Sequence, residues 1–266
     1  MKKVRIHHFA EMKARGEKIT MLTAYDYATA KAFDAAGVDM LLVGDSMGDN
    51  VLGMDSTVPL ELDEMIPFAR AVARGADRAF VVADLPFGTY EVSAEQAVAS
   101  SIRMMKLSGA QAIKFEGGRR IAAQVKAVTD AGIPFCGHLG FTPQSENALG
   151  GHRVQGRGEQ GLQDLIADAL ALQEAGAFAV VLEMVVDGAA RAVTEALDIP
   201  TIGIGAGSGT DGQVLVWLDA LGVGDWHPKF SRQFAAVGQA MTDGAARYVA
   251  AVKGEEFPAA EHTFDS

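Results

Sequence analysis

Short apolar runs recur along the chain at intervals that suit buried parallel strands. Each is rich in Val, Ile, Leu or Phe, and eight can be marked, at residues 19–25, 40–45, 80–84, 112–116, 134–138, 179–183, 200–205 and 214–218. A strand that helices cover on both faces has such a continuous apolar run instead of an alternating one. The runs therefore predict a parallel sheet that is buried on both faces.

Segments with a helical apolar period lie between most of these runs. They cover residues 62–74, 94–107, 120–131, 162–175 and 189–197, and glycine-containing stop signals stand at 36–38, 74–76, 108–110, 131–133 and 175–177. Glycine just past a helix accepts the left-handed conformation that other residues resist. Eight strands with interleaved helices predict an α/β fold, a (β/α)8 TIM barrel. The link between the last two strands is too short for a full helix.

The two ends of the chain lie outside this rhythm. Residues 5–16, with apolar Ile6, Phe9 and Met12, predict a short N-terminal helix that caps the bottom of the barrel. A last helix is predicted over residues 232–252, and residues 255–266 are polar enough to form a tail or an interface arm. No composition shift marks a boundary, so we predict a single barrel domain over residues 1–266.

One connection is unusually long. Residues 140–160, GFTPQSENALGGHRVQGRGEQ, show no clear helix or strand pattern. Loops of this length in compact domains are usually functional or disordered. With Arg153, Gln155 and Arg157 among glycines, the segment suits a mobile lid that carries polar contacts.

Four acidic residues stand where apolar runs break off, namely Asp45, Asp84, Glu116 and Glu183. Parallel strands bring their C-terminal ends to one mouth of a barrel, so these carboxylates should gather there. Each could instead cap the next helix or turn, although glutamate caps poorly, and four on separate strands favour a shared site. Anions in one cleft repel each other unless a cation or a proton lies among them. The pattern predicts a metal site with a base beside it.

The ligand types favour a hard cation. The six histidines, at positions 7, 8, 138, 152, 227 and 262, show no His-x-x-x-His spacing and no pairing with a cysteine, which disfavours zinc. Carboxylate oxygens with open positions suit Mg²⁺, which keeps water or substrate oxygens in its shell. We therefore expect one Mg²⁺.

Three further residues near the strand ends allow more than one interpretation. Lys114 lies two positions before Glu116 and so shares its face, where it could balance charge or hold a substrate carboxylate. His138 could be a core histidine satisfied by the backbone or part of the site. Ser46 could cap a helix or donate a hydrogen bond to a substrate. The glycine-rich segment 203–212 indicates close backbone approach to a ligand or to a neighbouring chain.

Composition narrows the partners. A net charge of −11 over 266 residues argues against nucleic acid and anionic membranes, and leaves small molecules as the expected partners. The one cysteine, Cys136, lies in an apolar run and is expected to be a buried, inert thiol. Neither a secretory signal nor a membrane span can be recognised, so a cytoplasmic location is expected.

Several motifs occur together and in order, among them TAYDY, LLVGDSMG, ADLPFG, IKFEGG, CGHLGFTPQS, IGIGAG and DGQVLV. With them the chain resembles the ketopantoate hydroxymethyltransferase (3-methyl-2-oxobutanoate hydroxymethyltransferase) family over about residues 3–265. The resemblance implies a barrel of the phosphoenolpyruvate/pyruvate superfamily type. It also implies a homo-oligomer, which in the family is often a decamer.

The resemblance assigns roles at matching positions. Mg²⁺ would be bound by Asp45, Asp84 and Glu116, and the first two would also border the substrate. Lys114 and Ser46 would contact the keto acid, and His138 would line its pocket. Glu183 would be the catalytic proton acceptor.

The implied reaction transfers a hydroxymethyl group from 5,10-methylenetetrahydrofolate to 3-methyl-2-oxobutanoate through a Mg-stabilised enolate. The products are 2-dehydropantoate (ketopantoate) and tetrahydrofolate, on the route to pantothenate and coenzyme A. The alternative is a Mg-dependent lyase or mutase like isocitrate lyase or phosphoenolpyruvate mutase, which needs no folate. Such enzymes carry a catalytic cysteine, and Cys136-Gly137-His138 resembles their loop superficially. A catalytically idle scaffold is the third reading, and the four acids with Lys114 speak against it.

Overall fold

Eight parallel strands close into a barrel in the computed structural model, which describes residues 2–224 and 226–264. Each strand pairs with the next along the chain, and the last pairs with the first. The predicted (β/α)8 fold class is therefore confirmed. The chain divides into two compact units, Met1–Val216 and Trp217–Ser266, and all eight strands belong to the first.

The strands and helices occur in the predicted order. The strands are β1 Ile19–Thr23, β2 Met40–Val43, β3 Phe80–Asp84, β4 Ala112–Glu116, β5 Phe135–Gly140, β6 Ala179–Glu183, β7 Thr201–Ile204 and β8 Gly212–Leu215. The helices are α1 Ile6–Ala14, α2 Tyr27–Ala36, α3 Met47–Asn50, α4 Leu62–Gly75, α5 Ala94–Ser108, α6 Ala122–Asp130, α7 Glu146–Leu149, α8 Gly158–Glu174, α9 Asp187–Ala196, α10 Trp217–Leu221 and α11 Val237–Lys253. None of the described helices combines the length and apolarity that a membrane span requires.

The eighth strand differs from its prediction. It begins at Gly212 and ends at Leu215, and helix α10 already starts at Trp217, so the prediction of a strand over residues 214–218 was wrong at both ends. The first residue of the strand is a glycine, Gly212, because the backbone oxygen of Ile19 lies so close that a side chain there would clash. A glycine followed by a glutamine carries no apolar signal, which is why the sequence pattern missed this start.

The C-terminal segment keeps its helix, but with shifted bounds. Helix α11 begins at Val237 instead of residue 232, and a single 3₁₀ turn, Ala260–His262, lies within the segment predicted as a tail. Residues 265 and 266 lie outside the described residues. The roles of residues 255–266 as a tail or arm, and of residues 1–266 as one domain, stay predictions.

Two glycines show different reasons for standing at a helix end. Gly37 follows α2 with φ of 90°, the left-handed conformation that the stop signal predicts. Gly75 is instead the last residue of α4, and a Cβ there would lie 2.6 Å from the backbone oxygen of Tyr27. The predicted stop at residues 74–76 is therefore confirmed, but its glycine is not left-handed and instead lets α2 and α4 approach closely.

The long connection over residues 140–160 contains regular structure. A 3₁₀ turn, Pro143–Ser145, leads into α7, and α8 already begins at Gly158. The prediction of a segment without helices was wrong, because elements of one turn are too short to show a period. The backbone nitrogen of Gln155 donates to the oxygen of Met184 at 2.8 Å, which fastens this part of the connection to the end of β6. Its role as a mobile lid stays a prediction.

Helix α1 closes the N-terminal end of the barrel, as predicted. Phe9 is fully buried, and its ring meets Phe80 edge-on at 5.5 Å and stacks on Phe178 at 5.9 Å. Phe80 opens β3 and Phe178 immediately precedes β6, so this aromatic cluster lies at the end of the barrel opposite the strand C-termini. It joins the main apolar core without taking part in the mouth.

Replacing Phe9 by Ala should lower the free energy of unfolding by about 3–5 kcal/mol, because it leaves a cavity among buried rings. Catalytic rates per folded molecule should stay unchanged, since the other end of the barrel is untouched. Urea unfolding measures the loss. The matched control is Ile6→Ala on the same helix, where the side chain is 42% exposed and the loss should be under about 1 kcal/mol. Equal losses in the two variants would contradict the capping role.

Candidate active site

The strand register brings the predicted residues together at the C-terminal mouth of the barrel. Lys114 is the direct partner of Asp84 across β3 and β4, and His138 is the partner of Glu116 across β4 and β5. Parallel strands in register present these side chains to the same interior face. Four positions chosen separately from the sequence are thus immediate neighbours in space.

The centre of this cluster is a buried ion pair. Lys114 Nζ lies 2.9 Å from Asp84 Oδ1, and both side chains are nearly inaccessible to solvent. Asp84 Oδ2 accepts a hydrogen bond of 3.1 Å from the backbone nitrogen of Asp45. Lys114 therefore balances the charge of Asp84, as one of its two interpretations predicted. Its contact with a substrate carboxylate stays a prediction.

His138 lies between two glutamates. Its Nδ1 is 3.3 Å from Glu116 Oε1 and its Nε2 is 3.2 Å from Glu183 Oε2. Lys114 Nζ is 3.4 Å from the same Nδ1. The neighbours of the ring are side chains of the cluster, so the reading of His138 as a core histidine satisfied by the backbone was wrong.

Burial changes the acidity of two carboxylates in the cluster. Burial raises the pKa of Asp84 to about 6, although the charge of Lys114 counters it. Burial likewise raises the pKa of Glu116 to about 7, against the opposing effect of His138. Each carboxylate is costly to hold as an anion in this low-dielectric mouth unless a cation accompanies it.

For the two cationic groups, burial acts in the opposite sense, but neighbouring carboxylates outweigh it. Burial lowers the pKa of Lys114, but the carboxylates of Asp84, Asp45 and Glu116 outweigh burial and raise it above its ordinary value. For His138, burial and Lys114 lower the pKa, but the two neighbouring glutamates raise it to about 9. Both groups therefore carry positive charge at neutral pH.

Ser46 contacts a tyrosine instead of capping a helix. It precedes α3 without any side-chain capping bond, so the capping interpretation was wrong. Its Oγ lies 2.8 Å from the hydroxyl of Tyr25, which is 2% exposed. Tyr25 was missed as a site residue, although its TAYDY motif was noticed. A contact between Ser46 and a substrate stays a prediction.

Gln144 was also missed, although it makes four hydrogen bonds at the mouth, two of them to carboxylates of the cluster. Its Nε2 donates to Asp45 Oδ2 at 2.8 Å and to the backbone oxygen of Leu85 at 3.0 Å. Its Oε1 accepts from the hydroxyl of Tyr90 at 2.6 Å, and its backbone nitrogen donates to Glu116 Oε2 at 3.0 Å. The FTPQS motif contains Gln144, but a glutamine in a loop gives no indication in the sequence of which strands its side chain will contact.

The glycine-rich segment 203–212 is close to the chain itself. A Cβ at Gly203 would lie 2.7 Å from Thr210 Oγ1, and one at Gly207 would clash with the Asp187 carboxylate. These glycines admit side chains of the same barrel. The expected approach to a ligand or a neighbouring chain is thus not needed to explain them.

The donor set suits a hard divalent cation better than a soft one. When all are ionised, the four carboxylates face two cations, Lys114 and His138, which leaves an excess of two negative charges. Asp84 Oδ1 and Glu116 Oε1 are buried oxygens that lie against cations, Lys114 Nζ at 2.9 Å and His138 Nδ1 at 3.3 Å. Within residues 2–224 and 226–264, however, no three His, Cys, Asp or Glu side chains are grouped closely enough to hold a metal ion by themselves.

Comparison with known proteins places the chain. A sequence profile of the ketopantoate hydroxymethyltransferase family matches residues 3–260. The chain belongs to this family. The resemblance predicted from the ordered motifs is thereby confirmed.

Individual relatives agree with the profile. The 3-methyl-2-oxobutanoate hydroxymethyltransferase of Corynebacterium glutamicum is 56% identical over 264 residues, which covers 99% of this chain and 98% of that protein. The enzyme of the same name from Saccharopolyspora erythraea is 55% identical over 265 residues, covering 99% and 90%.

Solved structures of other proteins share the fold. A phosphonopyruvate hydrolase with oxalate and Mg²⁺ superposes with a TM-score of 0.62 at 13% identity, covering 97% of this chain and 93% of that one. A 2,3-dimethylmalate lyase of the phosphoenolpyruvate mutase/isocitrate lyase superfamily gives 0.59 at 15% identity, covering 97% and 91%. At this identity the likeness shows the barrel fold alone.

Cys136 separates this ketopantoate hydroxymethyltransferase family member from the lyase alternative. The thiol is fully buried in the barrel core, and burial raises its pKa to about 12. A reactive cysteine needs an accessible thiolate. The expected inert thiol is therefore what the structure has, and Cys136 cannot serve as the catalytic cysteine of a lyase loop.

Replacing Lys114 by Met should lower the free energy of unfolding by about 3–5 kcal/mol, since it leaves Asp84 as an uncompensated buried charge. Adding Asp84→Asn to that variant should recover part of the loss, because the orphaned charge is then gone. Thermal and urea unfolding of the single and double variants measure both effects.

The control is Lys126→Met, which breaks an ion pair with Asp130 whose side chains are about 60% exposed. Exposed pairs contribute about 0–1 kcal/mol. If Lys114→Met were no more harmful than this control, the buried pair would not hold the cluster together.

Proposed function

We propose that this protein transfers a hydroxymethyl group to 3-methyl-2-oxobutanoate to give 2-dehydropantoate, the step that its relatives are named for, on the route to pantothenate and coenzyme A. One observation carries the proposal. The residues at the family's motif positions, from Asp45 and Asp84 to Lys114, His138 and Glu183, form one contiguous buried cluster at the barrel mouth. A cluster of this kind can bind a keto acid and move a proton.

Mg²⁺ is the proposed cofactor, one per subunit, held by Asp45 and Asp84, with Glu116 contributing directly or through water. The oxygen donors and the excess of negative charge over Lys114 and His138 support this choice. Mg²⁺ commonly takes one or two protein carboxylates and fills its shell with water and substrate oxygens. When bound, it would supply a Lewis acid that draws electrons from the 2-oxo group.

Lys114 is proposed to receive the substrate carboxylate. Its raised pKa keeps it cationic, so it binds the anion electrostatically and is a poor candidate for imine chemistry. Ser46, which follows β2, is proposed to donate a hydrogen bond to the same substrate, held in place by Tyr25. These contacts orient the keto acid with its C3 carbon toward the remaining carboxylate.

Glu183 is proposed as the base that removes the C3 proton. Its side chain is 19% exposed, whereas those of Asp84 and Glu116 are at most 2% exposed, so it is the most accessible acid of the cluster. His138 Nε2 lies 3.2 Å from Glu183 Oε2 and fixes the position of that oxygen. A base held by a neighbour and open to substrate meets the geometric requirement for proton abstraction.

5,10-Methylenetetrahydrofolate is proposed as the one-carbon donor. The deprotonated C3 carbon attacks the methylene carbon and breaks one of its two C–N bonds. Water then replaces the second C–N bond and supplies the hydroxyl group. The two freed nitrogens take up the proton abstracted from C3 and one proton from water, and tetrahydrofolate leaves. The lyase alternative is disfavoured because family membership and the buried Cys136 both speak against it.

A cytoplasmic homo-oligomer is the proposed setting. In the second compact unit, α11 contains no buried residue and exposes Met241, Tyr248 and Val249. Apolar side chains of this size on one helix are typical of a surface that another subunit covers.

Replacing Asp84 by Asn should weaken Mg²⁺ binding at least about tenfold and abolish turnover, because one of two anionic ligands is lost. Isothermal titration calorimetry with Mg²⁺ measures the affinity. Asp130→Asn is a control carboxylate on an exposed helix. Unchanged Mg²⁺ affinity in the Asp84 variant would remove Asp84 from the metal site.

Replacing Glu183 by Gln should leave Mg²⁺ and keto-acid binding within about threefold of the original. Exchange of the C3 proton into deuterated water should fall by at least about 100-fold, since the general base is gone. Proton NMR of 3-methyl-2-oxobutanoate follows the exchange in the absence of folate. Glu146→Gln, a partly exposed glutamate paired with His152, serves as the control. Exchange at the original rate would transfer the role to another group, with His138 the next choice.

Ketopantoate should form only when a one-carbon donor is present. The test incubates the protein with Mg²⁺ and 3-methyl-2-oxobutanoate, with and without 5,10-methylenetetrahydrofolate, and measures both products. With the folate, ketopantoate and tetrahydrofolate should form in equal amounts. Cleavage of a carbon–carbon bond in isocitrate-like substrates, or no product with folate, would reject the proposed reaction.

A further inference from the structure

We propose that Gln144 is a positioning residue that holds Asp45 as a metal ligand through a hydrogen-bond chain of fixed direction. The chain runs from the backbone nitrogen of Glu116 through the Tyr90 hydroxyl and the Gln144 amide to Asp45 Oδ2. This inference rests on the proposed Mg²⁺ site. It concerns Gln144 and Tyr90, to which no role in that site has been assigned above.

The direction of the chain is fixed at its first end. The backbone nitrogen of Glu116 can only donate, and it lies 3.3 Å from the Tyr90 oxygen. The hydroxyl, having accepted there, directs its single proton to Gln144 at 2.6 Å. The atom of Gln144 that receives this bond must therefore be the amide oxygen.

The other end fixes the same orientation independently. The backbone oxygen of Leu85 can only accept, and the atom of Gln144 that faces it at 3.0 Å must be the amide nitrogen. The same nitrogen lies 2.8 Å from Asp45 Oδ2. Both protons of the amide are thus committed, one to the backbone of β3's end and one to Asp45.

The consequence for Asp45 is that one oxygen always meets a donor. A hydrogen bond from this donor fixes the rotation of the carboxylate group. The bond engages Oδ2, so Oδ1 is the oxygen left to a cation. Gln144, 5% exposed, makes these bonds away from competing water.

Gln144 also fixes a second carboxylate by a separate route. Its backbone nitrogen donates to Glu116 Oε2 at 3.0 Å, a bond that side-chain substitutions leave in place. The residue therefore links the ends of β2, β3 and β4 from the connection that follows β5. This explains why a short 3₁₀ turn, Pro143–Ser145, stands over the mouth.

The test measures the affinity for Mn²⁺, used as a probe for Mg²⁺, by electron paramagnetic resonance and calorimetry on the full chain without substrate. Gln144→Met keeps the volume but removes both donors, and should weaken Mn²⁺ binding about 10–100-fold, as loss of a ligand-orienting hydrogen bond typically does. Tyr90→Phe removes the bond to the amide oxygen and the acceptor of the Glu116 backbone nitrogen, but leaves both donors of Gln144 in place, so it should weaken binding by a smaller factor. Because both act through one chain, the double variant should bind no more weakly than Gln144→Met alone.

Gln111→Met is the matched control. This glutamine accepts a hydrogen bond from the backbone nitrogen of Val81 at 3.1 Å, just before β4 and at the opposite end of the barrel. It should leave Mn²⁺ affinity unchanged, which separates positioning from a general loss of a buried amide. If Gln144→Met does not fold, Tyr90→Phe decides, because that variant keeps the ring and its packing.

The outcomes are distinct. Mn²⁺ affinity within twofold of the original in Gln144→Met, or in Tyr90→Phe where it alone folds, would overturn the positioning role while the metal site stands. Additive losses in the double variant would overturn the chain. If the unaltered protein binds no Mn²⁺, the proposed metal site itself is wrong, and the positioning role falls with it.

Discussion

The buried ion pair between Lys114 and Asp84 is the interaction on which the rest of the mouth depends. Without a cation at 2.9 Å, a carboxylate that is 2% exposed would have to take up a proton or reach solvent. Removing one partner of such a pair costs about 3–5 kcal/mol, far more than an exposed pair contributes. This cation and the His138 ring also oppose the effect of burial on the neighbouring Glu116.

The barrel supplies the constraint that makes these charges meet. Asp84 and Lys114 are direct partners in one strand pair, and Glu116 and His138 in the next, so the backbone hydrogen bonds of the sheet set their separation. A slip of one residue in either pair would turn one partner out of the interior. The ion pairs described at the N-terminal end, Lys13–Asp211 and Arg78–Asp39, are 13–20% exposed and so less deeply buried. That end is closed by the ring of Phe9, which contributes stability without taking part in the chemistry of the mouth.

A second layer of contacts gives the charges direction. The hydrogen bonds of Gln144 and Tyr90 begin and end on backbone groups whose donor and acceptor roles cannot change. Orientation is therefore inherited from the fold instead of depending on local pH. Ser46 is also supported by a neighbour, because its hydroxyl contacts Tyr25 in place of a helix end. Such supporting contacts allow a few accessible groups, Glu183 foremost, to do chemistry.

The sequence by itself determined the barrel and the acids at its mouth, because apolar runs and the residues that end them are local features. It also placed Lys114 beside Glu116 through the two-residue period of a strand. Only the tertiary structure decided the role of Gln144, since its partners lie 28 to 99 positions away and belong to three strand ends. One-turn helices and the start of β8 at Gly212 escaped for a related reason. A single turn has no period, and a glycine selected by a distant backbone oxygen leaves no apolar signal in its own neighbourhood.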